Sequence, residues 1–241
     1  MIKKVVIAAA GQGTRMLELT KNKSKHLIEV NEKPFLSYVL DNLLSAGYSD
    51  IILVVGFGAD HIKDFLKEYN YKATVVNQNE ILGPKEKIYG TACPLMCVKD
   101  IIGKEQFISV YGDNLYSAND LKEIGKEDEF SYVAGLVHTD PEKYGVLITE
   151  GDKLKEIIEK PKEFVGSLIN TGLYKFTSEV FEKLPLIKKS PRGEYELTDV
   201  ISLLAKDGKV KILKLNDGWM DFGNPGDIVK VSRFLKSDAA N

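Results

Sequence analysis

Apolar positions in the first half of the chain follow two alternating periods. Unbroken apolar runs of strand length, rich in β-branched residues, occur at Lys4 to Ala9 (KVVIAA), Ile51 to Val55 (IILVV) and Gln106 to Val110 (QFISV). They predict buried strands. Between them, apolar residues recur at helical spacing. Pro34 to Ala46 (PFLSYVLDNLLSA) predicts a helix that stops at Gly47, and Ala59 to Tyr69 predicts another. Ala73 to Val76 gives a short strand. Gly90 to Val98 gives a further helix, with Pro94 tolerated in its first turns. Strand and helix in alternation predict a parallel sheet with helices on both faces.

The second half changes character. Ser131 to Val137, Gly145 to Thr149, Lys153 to Ile158 and Leu168 to Phe176 read as strands separated by turns, with a hairpin signal in TEGDK at 149–153. Helical patterns follow around Glu179 to Leu184 and Tyr195 to Lys206. Then come the strand-like KVKILKL, a stretch around Trp219, and a last helix from Pro225 to Phe234. No Pro- or Ser-rich linker and no internal repeat interrupts the pattern. One continuous α/β domain over 1–241, with a mixed-sheet second lobe, is the economical reading.

Composition narrows the function. The 241 residues suffice for a real core, and a net charge of −2 provides no field to recruit nucleic acid or a membrane surface. No basic block interleaved with aromatics suggests nucleic-acid binding, and no apolar run reaches the ~20 residues of a membrane span. Met1 leads straight into a strand-like run without a leader pattern. The two cysteines, Cys93 and Cys97, exclude a disulfide scaffold and favour a cytoplasmic setting. They read as small buried hydrophobes. His26, His61 and His138 lack the spacing of zinc ligands.

The chemistry concentrates in AAAGQGTRM, directly after the first strand. A dinucleotide fingerprint needs a third glycine where Met16 stands, and an acid at the end of the second strand, which instead reads VVGFG. This excludes a nicotinamide-dependent oxidoreductase. A P-loop needs Gly-Lys-Ser/Thr where the chain has Gly13-Thr14-Arg15. A third arrangement remains. Gly11 and Gly13 allow close approach of backbone amides to a polyanion, Arg15 adds a permanent planar cation, and Lys25 adds a second cation. The alternative is a tight turn with a surface arginine.

The segment Gly11-Gln12-Gly13-Thr14-Arg15-Met16, followed by Thr20 and Lys25, resembles the signature of the sugar-nucleotide pyrophosphorylases. These nucleotidyltransferases join a sugar 1-phosphate to a nucleoside triphosphate. Their pattern is Gly-x-Gly-Thr-Arg-Leu, Pro-x-Thr and Lys-Pro. The chain departs from it at Glu18 and His26, where the family usually has proline. Further family segments recur in order. GTACPL at 90–95 resembles Gly-Thr-Ala-Gly-Pro-Leu, with Cys93 in place of glycine. VYGDN at 110–114, KYGVL at 143–147, IEKP at 158–161, NTGLY at 170–174, RGEYELTDV at 192–200 and GWMDFG at 218–223 follow.

The resemblance implies a Rossmann-like three-layer α/β sandwich with a mainly parallel, mixed central sheet. Residues to about 115 would bind nucleotide and those from about 116 the sugar phosphate. It implies that Ala10, Gly11, Gly13, Thr14 and Arg15 hold the triphosphate, and that Gln78, Gly90 and Thr91 hold base and ribose. It also implies that Gly145, Glu159, Lys160, Asn170 and Thr171 hold the sugar phosphate. Arg15, Lys25, Asp113 and Lys160 would be catalytic. Asp113 and Asp221 would bind Mg2+, a small hard cation suited to carboxylate and phosphate oxygens. An amide at Gln78 suits N3–H and a carbonyl of uracil or thymine, which favours UTP or dTTP with glucose 1-phosphate. GTACPL is equally at home in GDP-mannose-type enzymes, so GTP with mannose 1-phosphate stays open, as does an alcohol phosphate such as phosphocholine. A non-catalytic regulatory subunit that only binds sugar nucleotides is the rival of another class. The intact set Arg15, Lys25, Asp113, Lys160 and Asp221 speaks against it. The chain is expected to be the short form, without a C-terminal β-helix or acetyltransferase domain. Assembly as a homo-oligomer is compatible with the resemblance, and no apolar stripe in the sequence marks an interface.

Overall fold

The computed structural model of the chain describes residues 1–11, 13–20, 24–84 and 87–238. Its first half comprises β1 (Lys4–Ala9), the two-residue strands β2 (Glu29–Val30) and β3 (Lys33–Pro34), α1 (Phe35–Ser45), β4 (Asp50–Val55), α2 (Ala59–Glu68) and β5 (Thr74–Asn77). There follow α3 (Gln78–Leu82), α4 (Cys93–Met96), α5 (Lys99–Ile102), β6 (Phe107–Tyr111), β7 (Asn114–Tyr116) and α6 (Ala118–Ile124). The second half holds β8 (Ser131–Val137), β9 (Gly145–Glu150), β10 (Lys153–Glu159), β11 (Leu168–Phe176), α7 (Val180–Lys183) and α8 (Leu197–Lys206). It closes with β12 (Val210–Lys214), β13 (Trp219–Asp221) and α9 (Asp227–Asp238).

Nine strands form one sheet in the order β5-β4-β1-β6-β11-β8-β12-β10-β9. The run β5-β4-β1-β6 is parallel, as the alternating first half predicts. From β6 onward the pairings are antiparallel except for β8 with β12, so the sheet is mixed. β12 is inserted between β8 and β10, which both precede it in the chain. Successive residues of β1 serve opposite faces. Val5, Ile7 and Ala9 pack with α1 and α2, whereas Val6 packs into a second core with Leu95, Ile102 and Leu204. Helices therefore cover both faces, giving three layers. In α1, Phe35, Leu36, Val39, Leu40 and Leu43 form the buried stripe. It ends where Gly47 takes φ +94°.

The long helix expected over 90–98 is not formed. Gly90 has φ +140°, and the four-residue α4 carries Pro94 in its first turn. A glycine in that conformation keeps the helix from starting at residue 90, Pro94 is tolerated in the first turn, and Val98 at φ −118°, ψ 3° separates α4 from α5. The second predicted helix of the latter half starts at Leu197, because Glu196 is extended at φ −90°, ψ 132°. The short β7, α3 and α6 and a 3-10 segment over Thr14–Thr20 carry no periodic signal long enough to read.

The strand that carries Asp221 is held from three sides. β13 pairs antiparallel with β7, Asp221 opposite Asn114. Before it, the buried Asp120 carboxylate accepts the backbone N–H groups of Asn216 and Asp217 at 3.0 and 3.1 Å. After it, Asp227 accepts those of Gly223 and Asn224 at 3.0 and 2.9 Å. Phe222 stacks on Phe35, ring centres 4.4 Å apart. Asp120→Ala orphans two backbone donors at once. We expect a loss of about 2–4 kcal/mol in urea denaturation, and a smaller loss for Asp120→Asn, which keeps one acceptor oxygen. Equal stability of Asp120→Ala and the parent would show that this carboxylate does not anchor the strand.

Candidate active site

Two adjoining cavities open where the parallel strands end. The first, about 130 Å3, is bordered by Ala10, Gly11, Lys25, Gln78, Gly90 and Asp113. The second, about 310 Å3, is bordered by Arg15, Gly145, Glu159, Lys160, Asn170 and Asp221. Thr91 and Tyr111 line both. The residues expected on the sugar phosphate border the second space; of those expected on nucleotide, Ala10, Gly11, Gln78 and Gly90 border the first, Thr91 both, and Gly13 neither. Arg15, expected on the triphosphate, borders the second space instead.

Lys25 and Asp113 form a mostly buried ion pair between the start of a 3-10 turn and the end of β6. Burial raises the Asp113 carboxyl, but the Lys25 ammonium outweighs it and holds the group below the usual carboxylate range. Gly13 explains how Lys25 reaches in. At φ +66°, a Cβ on Gly13 would sit 2.9 Å from the Lys25 Cβ. Thr20 Oγ1 and Met16 N both donate to the Gly13 carbonyl, at 3.1 and 2.8 Å, closing the loop. Gln12 and the side chain of Thr14 lie outside the described residues.

His26 stands where the family usually has proline. It is fully buried, its Nδ1 lies 2.8 Å from Ser24 Oγ, and it packs under Gly112. Burial, with Lys25 next to it, lowers its imidazolium to about 3, so it is a neutral wedge beneath the Asp113 turn.

Asp221 arrives from the other half of the chain. The Phe222 N–H donates to the Asp113 carbonyl at 2.8 Å, which fixes the two aspartate segments together. Asn114 bridges them further. Its Nδ2 donates to Asp113 Oδ1 at 3.1 Å, and its Oδ1 accepts from Trp219 Nε1 at 2.6 Å. Burial first, and the Asp113 charge second, raise the Asp221 carboxyl to about 6.

The second cavity is built from the antiparallel half. Glu159 lies opposite Gly145 in the β10–β9 ladder, and a Cβ on Gly145 would sit 3.0 Å from Glu159 Oε2. Lys160 follows with φ +45°, a left-handed backbone that costs a non-glycine residue about 1 kcal/mol. Its N–H donates to the Tyr144 carbonyl at 3.0 Å. In β11 the register against β8 shifts between Asn170 and Tyr174. Asn170 stabilises this bulge, accepting from Gly172 N at 3.1 Å and donating to the Tyr174 hydroxyl at 2.9 Å. Gly172, at φ +82°, lies against the Tyr111 ring, where a Cβ would be 2.5 Å away. The buried Thr171 donates its hydroxyl to the Ala134 carbonyl at 2.9 Å, leaving acceptor lone pairs for a ligand.

Sequence reasoning missed several lining groups. Arg192 and Lys143 add cations to the second cavity, and Glu196, Tyr144 and Trp219 add a carboxylate and two aromatics. Glu194 borders the first. Arg192, Glu194 and Glu196 lie in RGEYELTDV, where a helix start was as good a reading. Cys93 and Cys97 are free and buried, their thiols raised to about 11 and 12 by burial. Among the described residues, no group of three or more His, Cys, Asp and Glu could hold a metal ion. None of their helices is long and apolar enough to cross a membrane.

The nucleotidyl transferase family model matches residues 4–238. The chain belongs to this family of enzymes. It is 35% identical over 242 residues to the UTP–glucose-1-phosphate uridylyltransferase AglF of Haloferax volcanii, covering 97% of this chain and 96% of that protein. It is 33% identical to a bifunctional sugar-1-phosphate nucleotidylyltransferase/acetyltransferase of Sulfurisphaera tokodaii, covering 96% of this chain and 55% of that one. The chain spans about half the length of several curated relatives it matches. It superposes, with a TM-score of 0.83 and 29% identity, on a Bacillus anthracis protein assigned as a glucose-1-phosphate thymidylyltransferase, solved with sucrose. That match covers 95% of this chain and 94% of the other.

The Asp221 shift has a sign that can be tested without turnover. Its folded-state carboxyl is raised, so its ionisation opposes folding above about pH 6, and this penalty fades as pH falls toward 4. Asp221→Asn in EDTA should therefore raise stability at pH 7.5 by about 2 kcal/mol and change little at pH 4. Thermal melts across this range check it. A destabilised variant at pH 7.5 would remove the repulsion from the account.

Proposed function

We propose that the protein transfers a nucleotidyl group from a nucleoside triphosphate to a sugar 1-phosphate, giving a nucleoside diphosphate sugar and pyrophosphate. UTP or dTTP with glucose 1-phosphate are the favoured substrates. The observation that carries this reading is the meeting of the two cavities at Thr91 and Tyr111, with Asp113 bordering one and Asp221 the other. The base preference rests on Gln78. It is buried at the start of α3, directly after β5, it borders the first cavity, and its Oε1 has no hydrogen-bond partner among the described residues. A buried acceptor left open costs free energy until something donates to it, and the N3–H of uracil or thymine is such a donor. The names of the uridylyl- and thymidylyltransferase relatives support the same choice.

The reaction joins two polyanions. An ionised oxygen of the sugar phosphate attacks the α-phosphorus. A P–O bond forms as the bond to the oxygen bridging the β-phosphate breaks, and pyrophosphate leaves with that electron pair. The nucleophile needs no base, so the protein supplies position and countercharge. The Ala10–Gly11 backbone approaches the triphosphate, and Lys25 neutralises charge on the α-phosphate and leaving group. Arg15, Lys160 and Arg192 face the sugar phosphate across the second cavity, with Glu159 accepting from sugar hydroxyls. Lys143 and Arg192 are paired with Asp140 and Glu196, whereas Lys160 makes no ion pair among the described residues and is available to an incoming phosphate. The two aspartates fit a divalent cation. They are hard oxygen donors, and burial first and the Asp113 charge second raise the Asp221 carboxyl. Asp113 and Asp221 would hold Mg2+, which supplies charge neutralisation on phosphate oxygens when bound.

Pyrophosphate release should be measured with magnesium, crossing UTP, dTTP, CTP, GTP and ATP with sugar 1-phosphates and phosphocholine. Turnover that requires both partners, highest with UTP or dTTP and glucose 1-phosphate, is the expected result. Silence across the grid with nucleotide binding retained would favour the regulatory subunit. Lys160→Ala should raise KM for the sugar phosphate at least tenfold more than KM for the nucleotide, and equal effects would undo its assignment. Asp113→Asn should lower kcat by orders of magnitude, so near-normal turnover would remove it from the metal site.

A further inference from the structure

Glu196 is a buried carboxylate outside the aspartate pair, and all its partners are polar side chains. Its Oε1 accepts from Ser190 Oγ and from Arg192 Nη2, both at 2.9 Å, and its Oε2 from Thr91 Oγ1 at 3.4 Å. Arg192 and Ser190 belong to its own loop, whereas Thr91 comes from the nucleotide half. Thr91 has a second task. Its Oγ1 accepts the Leu197 N–H at 2.8 Å and so caps α8, which Glu196 itself does not do. The two segments are also joined through the backbone. Tyr195 N donates to the Tyr89 carbonyl at 2.8 Å, and Ala92 N to the Tyr195 carbonyl at 3.0 Å. Between those bonds, Gly90 lies so close that a Cβ would fall 2.2 Å from the Tyr195 oxygen. Contact of backbone with backbone leaves no side-chain slack between the two segments.

We propose that Glu196 is a positioning residue that couples the two cavities. It fixes the Arg192 guanidinium at the sugar-phosphate cavity and is itself fixed by Thr91, which a nucleotide would touch. The inference rests on the reading above, in which the first cavity takes the nucleotide and the second the sugar phosphate. Arg192 is half exposed. A free arginine there would lose much rotamer freedom on gripping a phosphate, whereas one already held in a bidentate-capable pose loses less. A nucleotide seated on Gly90 and Thr91 stiffens the clasp, and the sugar phosphate then binds more tightly. Coupling of this kind is reciprocal, so the sugar phosphate must tighten the nucleotide by the same factor.

The test begins with wild-type turnover in the pyrophosphate assay. Absence of turnover there counts against the transferase reading, and the clasp is then read by calorimetry alone, titrating glucose 1-phosphate with and without UTP. With each ligand titrated alone, Glu196→Gln should weaken the sugar phosphate about tenfold and move the nucleotide less than twofold, whereas the mutual tightening should fall by the same factor in both directions. In an Arg192→Ala background, Glu196→Gln should have no further effect, because it acts through Arg192. Additive losses in that background, or equal losses for the two ligands titrated alone, would overturn the proposal. A merely structural Glu196 would lower Tm without this split. Thr91→Val, which keeps the shape and loses the hydroxyl, should abolish the mutual tightening, and Thr91→Ser should restore it. This pair decides the matter if Glu196→Gln does not fold. Undiminished coupling in Thr91→Val would overturn the link.

Discussion

The ladder between β7 and β13, extended by the Phe222 N–H bond to the Asp113 carbonyl, holds together two carboxylates that repel each other. A pair of three-residue strands is marginal in water by itself. Here it is stabilised by what surrounds it: the Phe35–Phe222 stack, the Asp120 and Asp227 carboxylates on the flanking backbone, and the Trp219–Asn114 bond. Lys25 offsets part of the charge from the other side. The site is thus a small, electrostatically unfavourable element gripped by a large, well-packed one, a common division of labour between scaffold and function.

The two halves contribute differently because their strands run differently. Parallel strands end together, so β1, β5 and β6 deliver the glycine loop, Gln78 and Asp113 to one crevice. The antiparallel half has no such common edge. It points its groups by local irregularity: the bulge in β11 at Gly172, the left-handed Lys160, and the Gly145–Glu159 pairing. Glycine at 172 is required twice over, by its φ and by the Tyr111 ring against it.

Much of this was legible in the sequence. Strong periodicity marked β1, β4, β8 to β11, α1 and α2, and the position of the glycine loop directly after the first strand was readable as well. Asp113 was visible as an acid ending a buried strand. Asp221 was not readable from spacing, since no local pattern links positions joined by a three-residue ladder; only family resemblance pointed there. Arg192 and Glu196 were hidden for another reason. Acids at the start of a helix are so common that their burial and partners must be seen before they mean anything. The expected helix over 90–98 is cut at both ends by backbone conformations, Gly90 at φ +140° before α4 and the non-helical Val98 after it, which an apolar pattern does not reveal.

The insertion of β12 between β8 and β10 bears on how the protein is made. A nascent chain emits β8 and β10 long before residues 210–214, and each must wait with the edge that β12 fills unpaired. The parallel run β5-β4-β1-β6 needs only residues up to 111 and can zip as it leaves the ribosome. The antiparallel half therefore matures last. Until its late strand arrives, the unfinished sheet offers open edges to neighbouring chains, and this interval is the one in which a chaperone would have most to protect.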